Sequence, residues 1–188
     1  MLRRATPHGS DIQLHSLLDF PNLPDIVEDQ ETYAGNALKK AVIISAHTQT
    51  LVIADDSGLE VDALGGAPGV QSARYAGEGA SDEDRIQKLL QALRDTPGNE
   101  RTARFRCAVA VAWPSGENRV LMGTCEGHIT RTPRGEHGFG YDPVFVPVGY
   151  DKTFAELGDT IKNKISHRAR AFKKALDLLL KGDDALTP

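Results

Sequence analysis

The stretch Thr50-Leu51-Val52-Ile53-Ala54-Asp55-Asp56-Ser57-Gly58-Leu59 decides how this chain is read. Residues 50–54 form a short apolar run closed by two carboxylates and a Ser-Gly pair, the pattern of a buried strand that ends at Ala54. Two aspartates at the exit of a buried strand are costly unless a cation or hydrogen-bond donors meet them. Loops after strands are where α/β proteins place their chemistry. The bland alternative is an Asx-type turn with both carboxylates in water. The next twenty or so residues speak against it. Gly65-Gly66-Ala67-Pro68-Gly69-Val70 and Ser72-Ala73-Arg74-Tyr75-Ala76-Gly77 form a long connection rich in Gly, Pro and aromatic residues. Long connections of this kind are functional or disordered, and the apolar and aromatic content argues for order.

Outward from that stretch, helices and strands alternate. Tyr33, Ala37, Ala41 and Ile44 recur at helical spacing, predicting a helix over 31–47 with Thr32 as a cap. Ser81 and Asp84 form a capping-box pattern ahead of the stripe Ile86, Leu89, Leu90 and Leu93. Phe105, Cys107, Val109 and Val111 alternate with small or polar residues, as in a strand packed mainly on one face. A turn at Pro114-Ser115-Gly116-Glu117-Asn118 leads to an antiparallel partner over 120–130, then a loop rich in Gly and aromatics over 135–146. The last helix is expected from about Ser166 to about Lys181, with Phe172, Leu176, Leu179 and Leu180 inward. This order predicts an α/β protein with a mixed sheet.

At 188 residues the chain is one domain over 1–188, or two small lobes sharing a core. The net charge of −4 lacks the basic excess of a general nucleic-acid binder, so no nucleic-acid partner is expected. No apolar run approaches the roughly 20 residues needed to span a bilayer, and the N-terminal residues lack a signal-peptide stretch. A cytoplasmic protein without a membrane partner is expected. Cys107 and Cys125 are expected as buried thiols.

Besides Asp55 and Asp56, three groups carry chemistry. Glu28 precedes a helix bearing Asn36, Lys39 and Lys40; its bland reading is an acidic loop beside an ordinary helix face. In Gly138-Phe139-Gly140-Tyr141-Asp142-Pro143, the glycines allow a close backbone approach to a ligand, Phe139 offers a stacking face and Asp142 offers acceptors. Its bland reading is a bulged loop whose aromatics fill the core. In Lys162-Asn163-Lys164-Ile165-Ser166-His167-Arg168, Ser166 is a good N-cap, so His167 and Arg168 occupy a first helical turn. Positive charge there opposes the helix dipole, which argues for an anion nearby rather than a plain capped helix. Glu28 and Asp56 suit magnesium, the basic groups suit phosphates, and Phe139, Asp142 and His167 suit a flat heterocycle. A nucleoside triphosphate fits all three.

The run from Ala54 to Gly69 with Ser72-Ala73-Arg74-Tyr75, then Phe139-Gly140-Tyr141-Asp142-Pro143-Val144-Phe145, then Ser166-His167-Arg168, closely resembles the inosine triphosphate pyrophosphatase family, whose members are also called dITP/XTP pyrophosphatases. The resemblance runs from about Leu17 to the last helix. It implies a two-lobed α/β fold around a long mixed β-sheet, an active-site cleft between the lobes, and a homodimer. It implies magnesium-dependent hydrolysis of ITP, dITP and XTP to the monophosphate and pyrophosphate. By the same resemblance Asp56 is the general base and a metal ligand, and Glu28 is the second metal ligand. Lys40 lies on the phosphate side, and Ser57 and Lys162 contact the nucleotide. Phe139 stacks on the base, with Gly140, Tyr141, Asp142, His167 and Arg168 around it. Adjacent residues of an extended segment point in opposite directions, so only one of Asp55 and Asp56 faces the metal directly.

Members of that family usually begin with a buried strand and a Thr/Ser-x-Asn-x-x-Lys loop that cradles the triphosphate. Here Leu2-Arg3-Arg4-Ala5 resembles the middle of the helix after that loop, and Thr6-Pro7-His8-Gly9 has neither its Asn nor its Lys. The favoured expectation is a start assigned too late, with the loop encoded upstream. The competing ones are a nucleotide-binding protein without turnover and a phosphatase acting on other phosphorylated metabolites.

Overall fold

The computed structural model describes residues 13–181. The expectations for Leu2 to Gly9 lie outside them. Among the described residues, four strands and four α-helices follow one another as α1 (Tyr33–Thr48), β1 (Val52–Val61), α2 (Asp82–Ala92), β2 (Thr102–Ala112), β3 (Asn118–Ile129), β4 (Phe145–Pro147), α3 (Phe154–Ile165) and α4 (His167–Lys181). The sheet order is β1-β2-β3-β4.

The α/β class holds, but every strand pair among the described residues is antiparallel, where a mixed sheet was expected. The reason lies between β1 and β2. Helix α2 packs Ile86 and Leu89, with Leu93 just beyond its end, against Leu59, Val61, Ala103 and Phe105, at one end of those strands. The chain leaves β1 and re-enters the sheet from the same end, so the intervening helix makes no parallel crossover.

Strand β2 was expected to pack mainly on one face, yet it is buried on both. Ala108, Ala110 and Ala112 face Tyr33, Ala37 and Ala41 of α1. Cys107, Val109 and Val111 face Ala171, Ala175 and Leu178 of α4. The alanines suggest a weak outer face by sequence, but small side chains are what let α1 sit close. A third cluster, holding Phe105, Phe145 and Phe154, fills the other end of the same strands. Two hydrophobic regions thus share β1 to β3, which gives the two-lobed form.

Close approach also sets the orientation of α4. A Cβ at Gly123 of β3 would stand 2.1 Å from the His167 carbonyl oxygen and 2.6 Å from the Ala171 nitrogen. The helix therefore presents its small residues to the sheet. Of the four residues expected inward, Leu179 packs partly against the core. Phe172, Leu176 and Leu180 are each more than a third exposed.

Strand β1 does not end at Ala54. It runs through both aspartates to Val61, paired with β2 from Val52↔Ala112 to Val61↔Ala103. Polar residues that read as a turn stay extended because each pairs with β2, and the outer edge just beyond them is covered. The Leu59 N–H donates to Ser72 Oγ (2.9 Å) and the Val61 N–H to the Ala67 carbonyl (3.1 Å). Gly58 makes this possible, since a Cβ there would lie 2.4 Å from the Gly69 carbonyl oxygen. Asp55 to Gly58 therefore bridge the two lobes, between Ala54 in one cluster and Leu59 in the other.

Candidate active site

The pleat of β1 sends its neighbouring side chains to opposite faces, and the site has two halves as a result. On the α1 face, Asp56 accepts from Asn36 Nδ2 (3.0 Å) through Oδ2 and from the Ser57 N–H (2.9 Å) through Oδ1. Asn36 is buried and fixed in turn, its Oδ1 accepting from the Gln30 N–H (2.9 Å). Lys40, one turn along α1, donates to Glu28 Oε1 (2.5 Å). Arg74 donates to the Glu28 carbonyl (3.2 Å), so the Ser-Ala-Arg-Tyr segment holds the Glu28 backbone. Burial pushes the Asp56 carboxyl above the ordinary range. Asn36 pulls it back, while the negative charge of Glu28 adds to the rise.

On the α4 face, Arg168 Nε donates to Asp55 Oδ2 (2.9 Å) and Arg168 Nη2 to Ser57 Oγ (3.3 Å). Cys107 Sγ lies behind Asp55 at 3.8 Å, its thiol pushed up to about 12 by burial and therefore protonated. Ser166 caps α4, its Oγ accepting from the Ala169 N–H (3.2 Å). His167 is buried and stacked on Phe105, with centroids 4.6 Å apart and rings 10° from parallel. Burial, reinforced by Arg168 and Lys162, lowers His167 to about 3, so its imidazole is neutral at neutral pH. Its Nδ1 is buried with no hydrogen-bond partner.

The loop at 138–142 sits over this half. Phe139 is 59% exposed, with Lys162 Nζ 4.2 Å and Arg168 Cζ 5.7 Å from its ring centroid. Asp142 is buried and already engaged. Its Oδ2 accepts from the Phe139 N–H (2.9 Å) and from Lys162 Nζ. Burial raises its carboxyl, and Lys162 opposes that rise. Tyr141 is buried as well, its hydroxyl donating to the Ser72 carbonyl (3.0 Å). Gly140 donates its N–H to Asp82 Oδ2 (2.6 Å). The exposed ring of Phe139 is thus carried on a loop tied down by Asp82, Asp142 and Ser72.

The sequence-predicted residues therefore fall into two sets. Glu28, Lys40 and Asp56 come together on the α1 face. Ser57, Phe139, Asp142, Lys162, His167 and Arg168 come together on the α4 face. Gly140 and Tyr141 anchor the aromatic loop. Sequence reading placed Asn36 on the right helix but not against Asp56, and it missed Asp82 and Ser72. It also left α3 unassigned, although Thr153 and Glu156 form a capping box (Thr153 Oγ1 accepts from the Glu156 N–H) of the kind recognised at Ser81. Lys162 consequently stands on a helix rather than in a loop.

Among the described residues, no group of three or more His, Cys, Asp or Glu side chains is placed to hold an ion. Magnesium needs no such cage. It keeps several waters and is held by one or two carboxylates together with substrate phosphates. Glu28 and Asp56 fit that role: their mutual repulsion already raises Asp56, and a divalent cation beside them relieves it.

Known proteins resemble this chain over most of its length. The chain is 55% identical over 163 residues to the dITP/XTP pyrophosphatase of Geobacillus kaustophilus, covering 87% of this chain and 80% of that protein. It is 52% identical over 172 residues to the dITP/XTP pyrophosphatase of Oceanobacillus iheyensis, covering 91% and 85%. The HAM1 protein of Coxiella burnetii superimposes with a TM-score of 0.79 at 43% identity, over 84% of this chain and 81% of that one. The Staphylococcus aureus Ham1 protein does so with a TM-score of 0.79 at 44% identity, over 87% and 82%. Fold, site and relatives together define a hydrolase of the nucleoside-triphosphate pyrophosphatase class. More particularly, the chain belongs to the Ham1 family, whose profile matches residues 2–178.

Proposed function

We propose that this protein hydrolyses non-canonical purine nucleoside triphosphates, namely ITP, dITP and XTP, to the monophosphate and pyrophosphate. The observation that carries this reading is the division of β1. A half-buried carboxylate with a raised affinity for a proton lies on one face, and an arginine under an exposed aromatic ring lies on the other. A ligand lying across that strand meets both.

Glu28 and Asp56, with the substrate phosphates, would hold magnesium, which would supply charge neutralisation and orientation. Asp56 takes the proton of the attacking water as its oxygen bonds to phosphorus. The bond between the α- and β-phosphates breaks, and pyrophosphate leaves with the bonding electron pair. Lys40 and Lys162 stabilise charge on phosphate oxygens. The base stacks on Phe139 beside Gly140, with Tyr141 and Asp142 holding that loop in place. His167, Ser57 and Arg168 face the nucleotide from below. A neutral His167 in a first helical turn, beside unpaired backbone N–H groups, offers donors to a 6-keto oxygen. A 6-amino group leaves those donors unpaired, and such a mismatch lowers kcat/KM by orders of magnitude. The same reading has a homodimer at work in the cytoplasm, which light scattering on the purified protein tests.

The deciding assay follows pyrophosphate and orthophosphate released from ITP, XTP and ATP with magnesium. Pyrophosphate from ITP and XTP at kcat/KM far above ATP is the expected result. Orthophosphate as the product, or equal use of ATP, rejects it.

A further inference from the structure

The two adjacent aspartates of β1 divide the work, and the proposed reaction leaves Asp55 without a role. We propose that Asp55 is a positioning residue that sets the Arg168 guanidinium toward the nucleotide base. This inference rests on the proposed function and extends it.

Three observations carry it. Arg168 sits in the first turn of α4, where the helix dipole opposes its charge, so something negative must hold it. Asp55 does so through Nε at 2.9 Å, the one guanidinium nitrogen that faces back toward the side chain's own stem. Gripping Nε leaves both terminal nitrogens free of Asp55. Nη2 reaches Ser57 Oγ at 3.3 Å, and the guanidinium carbon lies 5.7 Å from the Phe139 centroid. The guanidinium is therefore placed beside the surface on which a base stacks. Asp55 itself is hemmed in from behind by Cys107 Sγ at 3.8 Å, which limits the directions its carboxylate can turn.

A simple stabilising ion pair accounts for less. Asp55 and Arg168 are 26% and 39% exposed, and pairs so accessible to water contribute little to stability. The contact joins residues 113 apart, from β1 to the start of α4, and it meets the nucleotide side of both.

The test is a double-mutant cycle on the full chain with Asp55→Asn, Arg168→Gln and the double variant. It follows pyrophosphate release from ITP at saturating magnesium and the thermal midpoint of each protein. Asp55→Asn is expected to raise KM by about 10-fold or more, with kcat nearly unchanged, because a charge-assisted hydrogen bond that orients a binding group is lost. The double variant should be no worse in KM than Arg168→Gln alone, since Asp55 acts only through Arg168. Should Asp55→Asn fold poorly around an unpaired arginine, the double variant removes that arginine, and its KM against that of Arg168→Gln decides. A fall in kcat at constant KM overturns the proposal and assigns Asp55 to the metal or the water. Additive KM effects, or a change in thermal midpoint without a change in KM, overturn it too. A wild-type protein that releases no pyrophosphate rejects the proposed function itself, and this inference with it.

Discussion

The two faces of β1 are built from the same strand but stabilised by different physics. On the α1 face, Asp56 is half-buried and accepts only from neutral donors, Asn36 and a backbone N–H, with Glu28 and Lys40 acting on it from further off. Its charge is poorly compensated, and its affinity for a proton is raised. On the α4 face, Asp55 meets a full positive charge at 2.9 Å. In the proposed reaction, one aspartate is the base and the other sets geometry. Sequence neighbours acquire opposite roles because the pleat exposes them to different helices.

The largest effect expected from breaking this contrast is on the α1 face. Asp56→Asn should lower kcat by about 10²–10⁴-fold, the usual worth of a general base, with ITP binding largely kept. Single-turnover pyrophosphate release and calorimetric titration of ITP measure the two separately. Retention of more than about a tenth of the wild-type rate removes Asp56 from that role.

The next effect belongs to the α4 face and to acid. His167 is held near 3, below its ordinary 6.5. Above pH 6.5 neither the folded nor the unfolded chain protonates it, and its contribution to stability is fully present. As pH falls from 6.5 toward 3, only the unfolded chain takes up the proton, so stability is lost by up to about 1.4 kcal/mol per pH unit. Denaturant unfolding at a series of pH values should show a steep acid limb that His167→Gln flattens. An unchanged slope in that variant contradicts the buried neutral imidazole.

A smaller loss separates the faces mechanically. Gly123→Ala places a methyl group 2.1 Å from the His167 carbonyl oxygen, so α4 must move outward. Overpacking of this kind costs about 1–3 kcal/mol. The displacement carries Arg168 with it, so KM should rise while kcat, set on the other face, changes less. Equal losses in both would mean that the faces are not independent.

The smallest expected effect has the opposite sign. Because burial holds Asp56 above its ordinary 3.8, its ionised form burdens the fold at neutral pH. That burden is absent below the ordinary value and complete above the raised one. Asp56→Asn should therefore increase the thermal midpoint modestly near pH 7, and the gain should fade as pH falls toward about 4. The same substitution that is expected to slow turnover would stabilise the ligand-free protein.

Much of the site was legible in the sequence because its residue types are costly where they stand. Paired aspartates behind an apolar run, an aromatic between two glycines and cations at a helix start each ask for a partner. The helix caps at Thr32, Ser81 and Ser166 were equally legible, because capping depends on residues three apart. What failed was inference across distance. Asp55 to Gly58 read as a turn by local chemistry, yet pairing with Arg106 to Val109 of β2 keeps them in a strand. The alanines of β2 read as an outward face, yet α1 covers them. Asp142 read as a ligand-facing acceptor, yet Lys162 and the Phe139 N–H occupy one of its oxygens.

The sequence alone therefore determined the family, the caps at Thr32, Ser81 and Ser166, and the set of side chains that carry charge and aromatic surface. These depend on residue identity and short spacing. Only the tertiary structure decided which aspartate faces which helix, that the strands run antiparallel, and that the aromatic loop is tied to α2 through Asp82 and Gly140. Those outcomes rest on contacts between residues far apart in the chain. The small side chains that permit close packing, Gly58, Gly123 and the alanines of β2, carry no chemistry of their own by which a sequence could announce their neighbours.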